Sequence, residues 1–285
     1  MISREGVIVA PGVFSPIVAQ LAERAGFSCI YFSGAGYANL QGLPDLGVTT
    51  LSEVSDSVRR ITSLVDLPLI VDVDTGFGEA VNVMRCVQEM ERAGAAAVHI
   101  EDQVMPKRCG HLSGKTLVPV EEMTKKLLSA RESITSGLVL IARTDSRGVE
   151  GFDASVERAR VYLRAGADMI FPEALESEDE FAEFAKKVRA PLLANMTEFG
   201  KTPYITASRF GAMGYKVVIF PVTGLRAMLK AIQEAFLELK TKGTQRDLLE
   251  KMMTRQQVYE LLDYYTYESA DSRIAAKAKR LLDTD

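Results

Sequence analysis

Short apolar runs recur along the chain, each followed by a polar loop and then by a stretch with apolar residues at helical spacing. The runs are GVIVA (6–10), SCIYF (28–32), PLIVDV (68–73), AAAVHI (95–100), LVLIA (138–142), ADMIFP (167–172), PLLAN (191–195) and YKVVIF (215–220). Strands that alternate with helical patterns predict βαβ units and a parallel sheet. Runs without strict period-2 alternation predict strands covered on both faces. Eight unbroken repeats predict an α/β fold of the closed (β/α)8 TIM-barrel type rather than an open doubly wound sheet.

Helices are predicted over 17–25, 52–63, 80–93 and 154–165, the second starting at Ser52 with Ser55 three residues on. Three of them end in an Ala-Gly pair before the next strand, at Gly26, Gly94 and Gly166. Glycine there suits the left-handed conformation that closes a helix. After Thr241 the pattern changes to three helical stretches, 246–253, 255–267 and 272–282. They carry apolar and aromatic residues that a completed barrel does not need, among them Leu248, Leu249, Met252, Tyr259, Leu262 and Tyr265. Such a tail is either a packed helix pair or an arm lying on a partner subunit. The expected organisation is a barrel catalytic domain over 1–240 and a helical extension over 241–285, a single domain overall.

The length, 285 residues, suits one such barrel, which needs roughly 250. A net charge of -4 gives no general attraction to nucleic acid or an anionic membrane, so neither is an expected partner. Recognition of an acidic substrate must come from a local cluster of Arg, Lys and metal. No apolar run reaches the roughly 18 residues of a membrane span, and the N-terminus lacks the apolar core of a signal peptide. Three cysteines without framework spacing suit a reducing compartment, and the expected location is the cytoplasm.

In such barrels the active site forms at the C-terminal ends of the strands. Polar residues there are Ser33 with Gly34 and Ala35, then Asp72 and Asp74, Glu101, Arg143, Glu173, Asn195 with Thr197 and Glu198, and Arg226 at the start of the last helix. Asp72 and Asp74 are two apart on a strand and share a side. Several carboxylates gathered at one rim call for a compensating cation or for protons. Hard oxygen donors with few histidines favour Mg2+ or Mn2+. Salt bridges to Arg and Lys are the plainer alternative.

After the fourth run comes Lys107-Arg108-Cys109-Gly110-His111. Basic neighbours and a histidine give Cys109 electrostatic reasons for a lowered pKa, and Gly110 lets the loop approach a ligand closely. Cys29 falls in a strand run and Cys86 in a helix, and both read as inert core residues. Ser33-Gly34-Ala35-Gly36 is an incomplete dinucleotide fingerprint, because Asn39 stands at the third glycine position. Cys109 and His111, two apart in one loop, make poor geometry for a hydrolytic dyad.

The chain resembles the isocitrate lyase/phosphoenolpyruvate mutase superfamily, and within it the 2-methylisocitrate lyases. The matching stretches include AERAGFSCIYFSGAG, LPDLGVTTL, VDVDTGFG, AGAAAVHIEDQ, PKRCGH, IARTDS, FPEA, LANMTEFGKTP and TRQQVYELLDYYTYE. They run from about Gly6 to Tyr267. The Lys-Arg-Cys-Gly-His loop separates the lyases from the mutases and decarboxylases.

The resemblance implies cleavage of 2-methylisocitrate to pyruvate and succinate, within the 2-methylcitrate cycle of propionate catabolism. Isocitrate lyase, or an enzyme acting on phosphonopyruvate or oxaloacetate, is the alternative. It implies Mg2+, with Mn2+ possible, held directly or through water by Asp72 and Asp74 with Glu101 nearby. Ser33, Gly34 and Ala35 would bind substrate oxygens. Arg143, Glu173, Asn195, Thr197 and Arg226 would position the tricarboxylate, with Arg255 from the tail. Asp45 would sit near the metal waters. Cys109 would be the general acid on a closing loop with Lys107, Gly110 and His111, and Tyr31 is a candidate base. Phe171 matches a position that lines the methyl pocket. Ala35 departs from the glycine many relatives carry. The superfamily pattern also implies a homotetramer with the C-terminal helix exchanged between subunits.

Overall fold

The computed structural model describes residues 6–283. Eight strands appear in the predicted order: β1 Ile8–Val13, β2 Ile30–Phe32, β3 Leu69–Asp72, β4 Ala97–Glu101, β5 Val139–Thr144, β6 Met169–Pro172, β7 Leu193–Asn195 and β8 Val217–Phe220. All neighbouring pairs are parallel, in the order β6-β5-β4-β3-β2-β1-β8-β7. A parallel bridge between Ile170 and Leu192 joins the two ends of that sheet. The result is a (β/α)8 barrel.

The helices are α1 Pro16–Arg24, α2 Gly34–Leu40, α3 Leu51–Thr62, α4 Ala80–Arg92, α5 Val120–Ser133, α6 Phe152–Arg164, α7 Glu178–Lys187, α8 Ala207–Ala212, α9 Thr223–Lys242, α10 Arg255–Leu261 and α11 Tyr264–Leu282. The second predicted helix starts one residue earlier than Ser52 because Thr50, not a serine, is its cap. The Thr50 hydroxyl accepts from the Glu53 N–H, and the Glu53 carboxylate accepts from the Thr50 N–H at 2.7 Å. This reciprocal box satisfies two N–H groups that the first turn leaves unpaired. The Ala-Gly endings behave as expected, with Gly94 at φ +86° just past α4.

Two cores follow from the closure. One fills the space between strands and helices, with Phe32, Val71, Val98, Leu140, Ile170 and Phe184 fully buried. The other fills the barrel itself, with Ile70, Ala97, Ile141, Met169, Leu193 and Val217. Covering on both faces explains the continuous apolar runs. The inward positions still keep period 2. Ala97, His99 and Glu101 share one face of β4, and Ile141 and Arg143 share one face of β5. Apolar side chains therefore plug the barrel and polar ones crown it.

Compact units end at Arg226 and start at Ala227. The second holds most of α9, a 3-10 stretch over Arg246–Lys251, α10 and α11. Its last helix starts at Tyr264, earlier than predicted, after Asp263 in a left-handed turn at φ 53°. Tyr259 and Tyr264 stack there, 4.4 Å apart, and Tyr265 meets both edge-on. Among the described residues no helix is long and apolar enough to cross a membrane.

Candidate active site

Strand register brings the site together. Asp72 pairs with His99, Glu101 with Arg143, and Arg143 with Phe171. Arg143 is the centre. Its Nε lies 2.9 Å from Asp145 Oδ2, its Nη1 3.2 Å from Glu101 and its Nε 3.9 Å from Glu173. The guanidinium also lies over the Phe171 ring, 5.2 Å from its centroid. Burial alone would weaken the charge, but Asp145, Glu101 and Glu173 outweigh it and hold Arg143 firmly ionised.

Asp72 and Asp74 stand beside this cation. Asp74 adopts φ 48°, a left-handed conformation that aspartate tolerates better than most residues. Its N–H donates to Asp72 Oδ1 at 3.0 Å. Burial pushes the Asp74 carboxyl up to about 6, against the pull of Lys107. Burial works the same way on Asp72, but His99, Lys107 and Arg143 win and lower it. Burial also raises Glu101, opposed by Arg143 and Lys107.

Among the described residues no three acidic, His or Cys side chains converge as a ready metal cage. Lys107 stands among these carboxylates, its ammonium 2.9 Å from Asp74 Oδ1 and in contact with Asp45. Asp74 Oδ1 and both Glu101 oxygens are nevertheless buried without an aligned hydrogen-bond donor. Mg2+ is commonly held by one or two carboxylates while keeping several waters. Hard, undersatisfied oxygens of this kind fit such an ion.

Tyr31 points into the same space. Its hydroxyl lies 2.8 Å from His99 Nε2 and 3.4 Å from Asp72 Oδ2, with the two rings stacked. Burial and the Asp72 charge push the phenol well above its usual value. Burial holds His99 down at about 4, so its ring is neutral. The resting Tyr31 is therefore a donor, and base behaviour requires it to shed its own proton. Ser33 caps α2, accepting the Gly36 N–H at 3.0 Å, and the Gly34 N–H donates to Asp72 at 3.2 Å. Ala35 follows in the first turn of the helix.

Hydrogen bonds hold the loop after β4. Gln103 clamps both the N–H and the carbonyl of Arg108, at 2.9 and 2.8 Å. Lys107 is buried; burial opposes its charge, but Asp74, Glu101 and Asp45 hold it ionised. Gly110 sits where no larger residue would fit, since a Cβ would come 2.3 Å from Glu173 and 2.7 Å from Arg143. His111 Nε2 reaches Glu173 at 2.9 Å. Cys109 corrects the sequence expectation of a lowered pKa. Burial raises the thiol, and the Glu173 and Asp45 carboxylates outweigh Arg143 among its charged neighbours. It rests as S–H.

Glu173 is buried, a condition that would raise it, yet Arg143 and His111 hold it well below the usual carboxylate range. Asn195 donates to both its oxygens at 3.2 and 3.3 Å, leaving Asn195 Oδ1 buried and unpaired. Thr197 is buried beyond β7. Arg226 is half-exposed and donates to Glu198 at 2.9 Å. Phe171 is buried, with its ring against His99 and beneath Arg143. Arg255 opens α10 in the second unit.

The phosphoenolpyruvate phosphomutase family model matches residues 1–240. The chain belongs to the phosphoenolpyruvate mutase/isocitrate lyase superfamily. Within this superfamily it is 56% identical over 282 residues to the 2-methylisocitrate lyase of Aeropyrum pernix, covering 99% of this chain and 91% of the relative. The crystal structure of a 2,3-dimethylmalate lyase, a superfamily member, matches at TM-score 0.88 and 38% identity, over 94% of this chain and 91% of that one. A superfamily phosphonopyruvate hydrolase, solved with oxalate and Mg2+, matches at TM-score 0.85 and 30% identity, with 94% of each chain covered.

Three residues of this cluster lie outside the sequence expectations. His99 carries a signal in its spacing of two from Glu101, which puts both on the inward face of β4. Asp145, just past β5, and Lys115 have no local signature as a pair, because their contact spans 30 residues.

Proposed function

We propose that this chain cleaves 2-methylisocitrate to pyruvate and succinate with Mg2+. The observation that carries the reading is Cys109, a protonated thiol on a loop seated against Arg143 and Glu173. The names of its relatives support the same substrate. Asp72 and Asp74, with Glu101 near, would hold Mg2+. Bound there, the ion would polarise the oxygens of the forming oxo acid.

The chain's own groups do the rest. Arg143 attracts substrate carboxylates, His111 holds Glu173 in place, and Asn195 Oδ1 accepts from a protonated oxygen. Tyr31 receives the substrate hydroxyl proton while releasing its own into the His99–Asp72 pair, where the Asp72 carboxylate works against the burial that keeps His99 neutral. The carbon–carbon bond breaks, the hydroxyl carbon becomes the pyruvate carbonyl, and the electron pair stays on the other carbon, conjugated into its carboxylate. Cys109 S–H protonates that carbon and succinate results. Seating of the loop excludes water from this step.

We extend the proposal to a cytoplasmic homotetramer that exchanges C-terminal helices. Exposed Phe236, Leu237, Tyr267, Leu281 and Leu282 support the assembly, and light scattering on the purified protein tests it. The activity is tested by pyruvate release from 2-methylisocitrate, with isocitrate in parallel and with Mg2+ present or chelated. Chelator-sensitive release from the methyl substrate supports the proposal. No release from either substrate overturns it and turns attention to oxaloacetate, phosphonopyruvate and dimethylmalate.

A further inference from the structure

Lys115 takes no part in the chemistry above, yet its side chain is only 2% exposed. Its ammonium lies 3.0 Å from Asp145 Oδ1 and donates to the carbonyl of Gly110. An ammonium leaves water only where a carboxylate and further acceptors replace its hydration, so this position is built for the charge.

Asp145 is fully buried and makes three other hydrogen bonds. It accepts from Arg143 Nε at 2.9 Å and Nη2 at 3.2 Å. Its backbone N–H donates to Asp102 Oδ1 at 2.9 Å. One carboxylate thus joins the arginine at the centre of the site to a lysine of the loop that carries Cys109.

Backbone bonds tie one end of the loop. Gln103 and Leu117 form an antiparallel bridge, and the Val104 N–H donates to the Thr116 carbonyl at 2.8 Å. Lys115 adjoins this fixed stem. Gly110 lies at the far tip beside Cys109, in tight contact with Arg143 and Glu173. The Lys115 bond crosses from stem to tip.

We propose that Lys115 is a positioning residue, a latch that holds the Cys109 loop down by tying the Gly110 carbonyl to the Asp145–Arg143 pair. This rests on the reading of Cys109 as the acid. Without the latch the tip lifts, the thiol drifts from the carbon it protonates, and bulk water enters.

The test is the rate of iodoacetamide labelling at each cysteine of the full-length protein, followed by peptide mass spectrometry, in wild type and Lys115→Met. We expect Cys109 labelling to rise about tenfold, roughly what loss of one hydrogen bond from a charged donor corresponds to. Cys29 and Cys86 should stay slow. The sign is diagnostic, because removing a nearby positive charge disfavours the thiolate and by itself slows labelling. In Lys115→Ala, added n-propylammonium should restore slow labelling. If Lys115→Met does not fold, Lys115→Gln keeps a donor toward Gly110 and should label at an intermediate rate. An unchanged Cys109 rate, or Cys29 and Cys86 rising in step with it, overturns the latch. Labelling needs no substrate, so a wild type that releases no pyruvate sinks the lyase reading while these rates still decide the latch. Where the enzyme is active, Lys115→Met should lower kcat and leave KM within about threefold, since ground-state binding by Arg143 persists.

Discussion

His111 joins Glu173 at 2.9 Å through Nε2, while its Nδ1 accepts the Lys201 N–H at 3.0 Å. A ring nitrogen that accepts from a backbone N–H carries no proton, so the imidazole proton sits on Nε2 and points at the carboxylate. The contact ties an irregular loop to the end of β6. His111→Ala removes one of the donors to a buried carboxylate. We expect a stability loss of about 1–3 kcal/mol in urea denaturation and a fall in kcat. A variant that changed KM alone would contradict this role.

Cys109→Ser replaces the acid by a hydroxyl far less ready to give up its proton. Loss of a positioned acid commonly costs about 10²–10⁴ in rate. Pyruvate release should fall in that range while the thermal midpoint stays put. An enzyme of the decarboxylase kind would be little affected.

The thiol's protonation has a sign that can be checked. Burial raises the Cys109 pKa, so the S–H form persists through neutral pH and is lost only above the ordinary thiol value, about 8.5. The alkylation rate of Cys109 should therefore rise late in a pH titration, and kcat should hold through neutrality and fall on the alkaline side. An alkylation midpoint below about 8 would show a thiolate in the resting site.

Mg2+ should compete with Lys107 for Asp74. Chelation should abolish turnover, and Mg2+ alone should raise the melting temperature of wild type, as a ligand that prefers the folded state does. Asp74→Asn should need about tenfold more Mg2+ for the same shift, about 1.4 kcal/mol of binding. An equal shift in wild type and variant would remove Asp74 from the metal site.

The strands were legible because burial on both faces leaves continuous apolar runs, and their polar ends marked Asp72, Glu101, Arg143 and Glu173. Helix starts were less legible: the start placed at Ser52 overlooks Thr50 and Glu53, which carry the Thr-x-x-Glu spacing of a capping box. The Cys109 thiol was misjudged because sequence shows neighbouring charges but not burial. Lys107, adjacent in sequence to Arg108, spends its charge on Asp74 and Asp45. The Lys115–Asp145 contact spans 30 residues and has no local signature.

Asp145 has one more consequence, for how such a sequence can change through descent. Its carboxylate faces Arg143 and Lys115 together, so a single substitution there sets two enclosed cations against each other. Replacing Lys115 first leaves Asp145 still paired with Arg143. The order of substitution therefore matters, with paths through Lys115 open and paths beginning at Asp145 closed. In lineages that abandon the cysteine loop, Lys115 should be the member of this trio that drifts earliest.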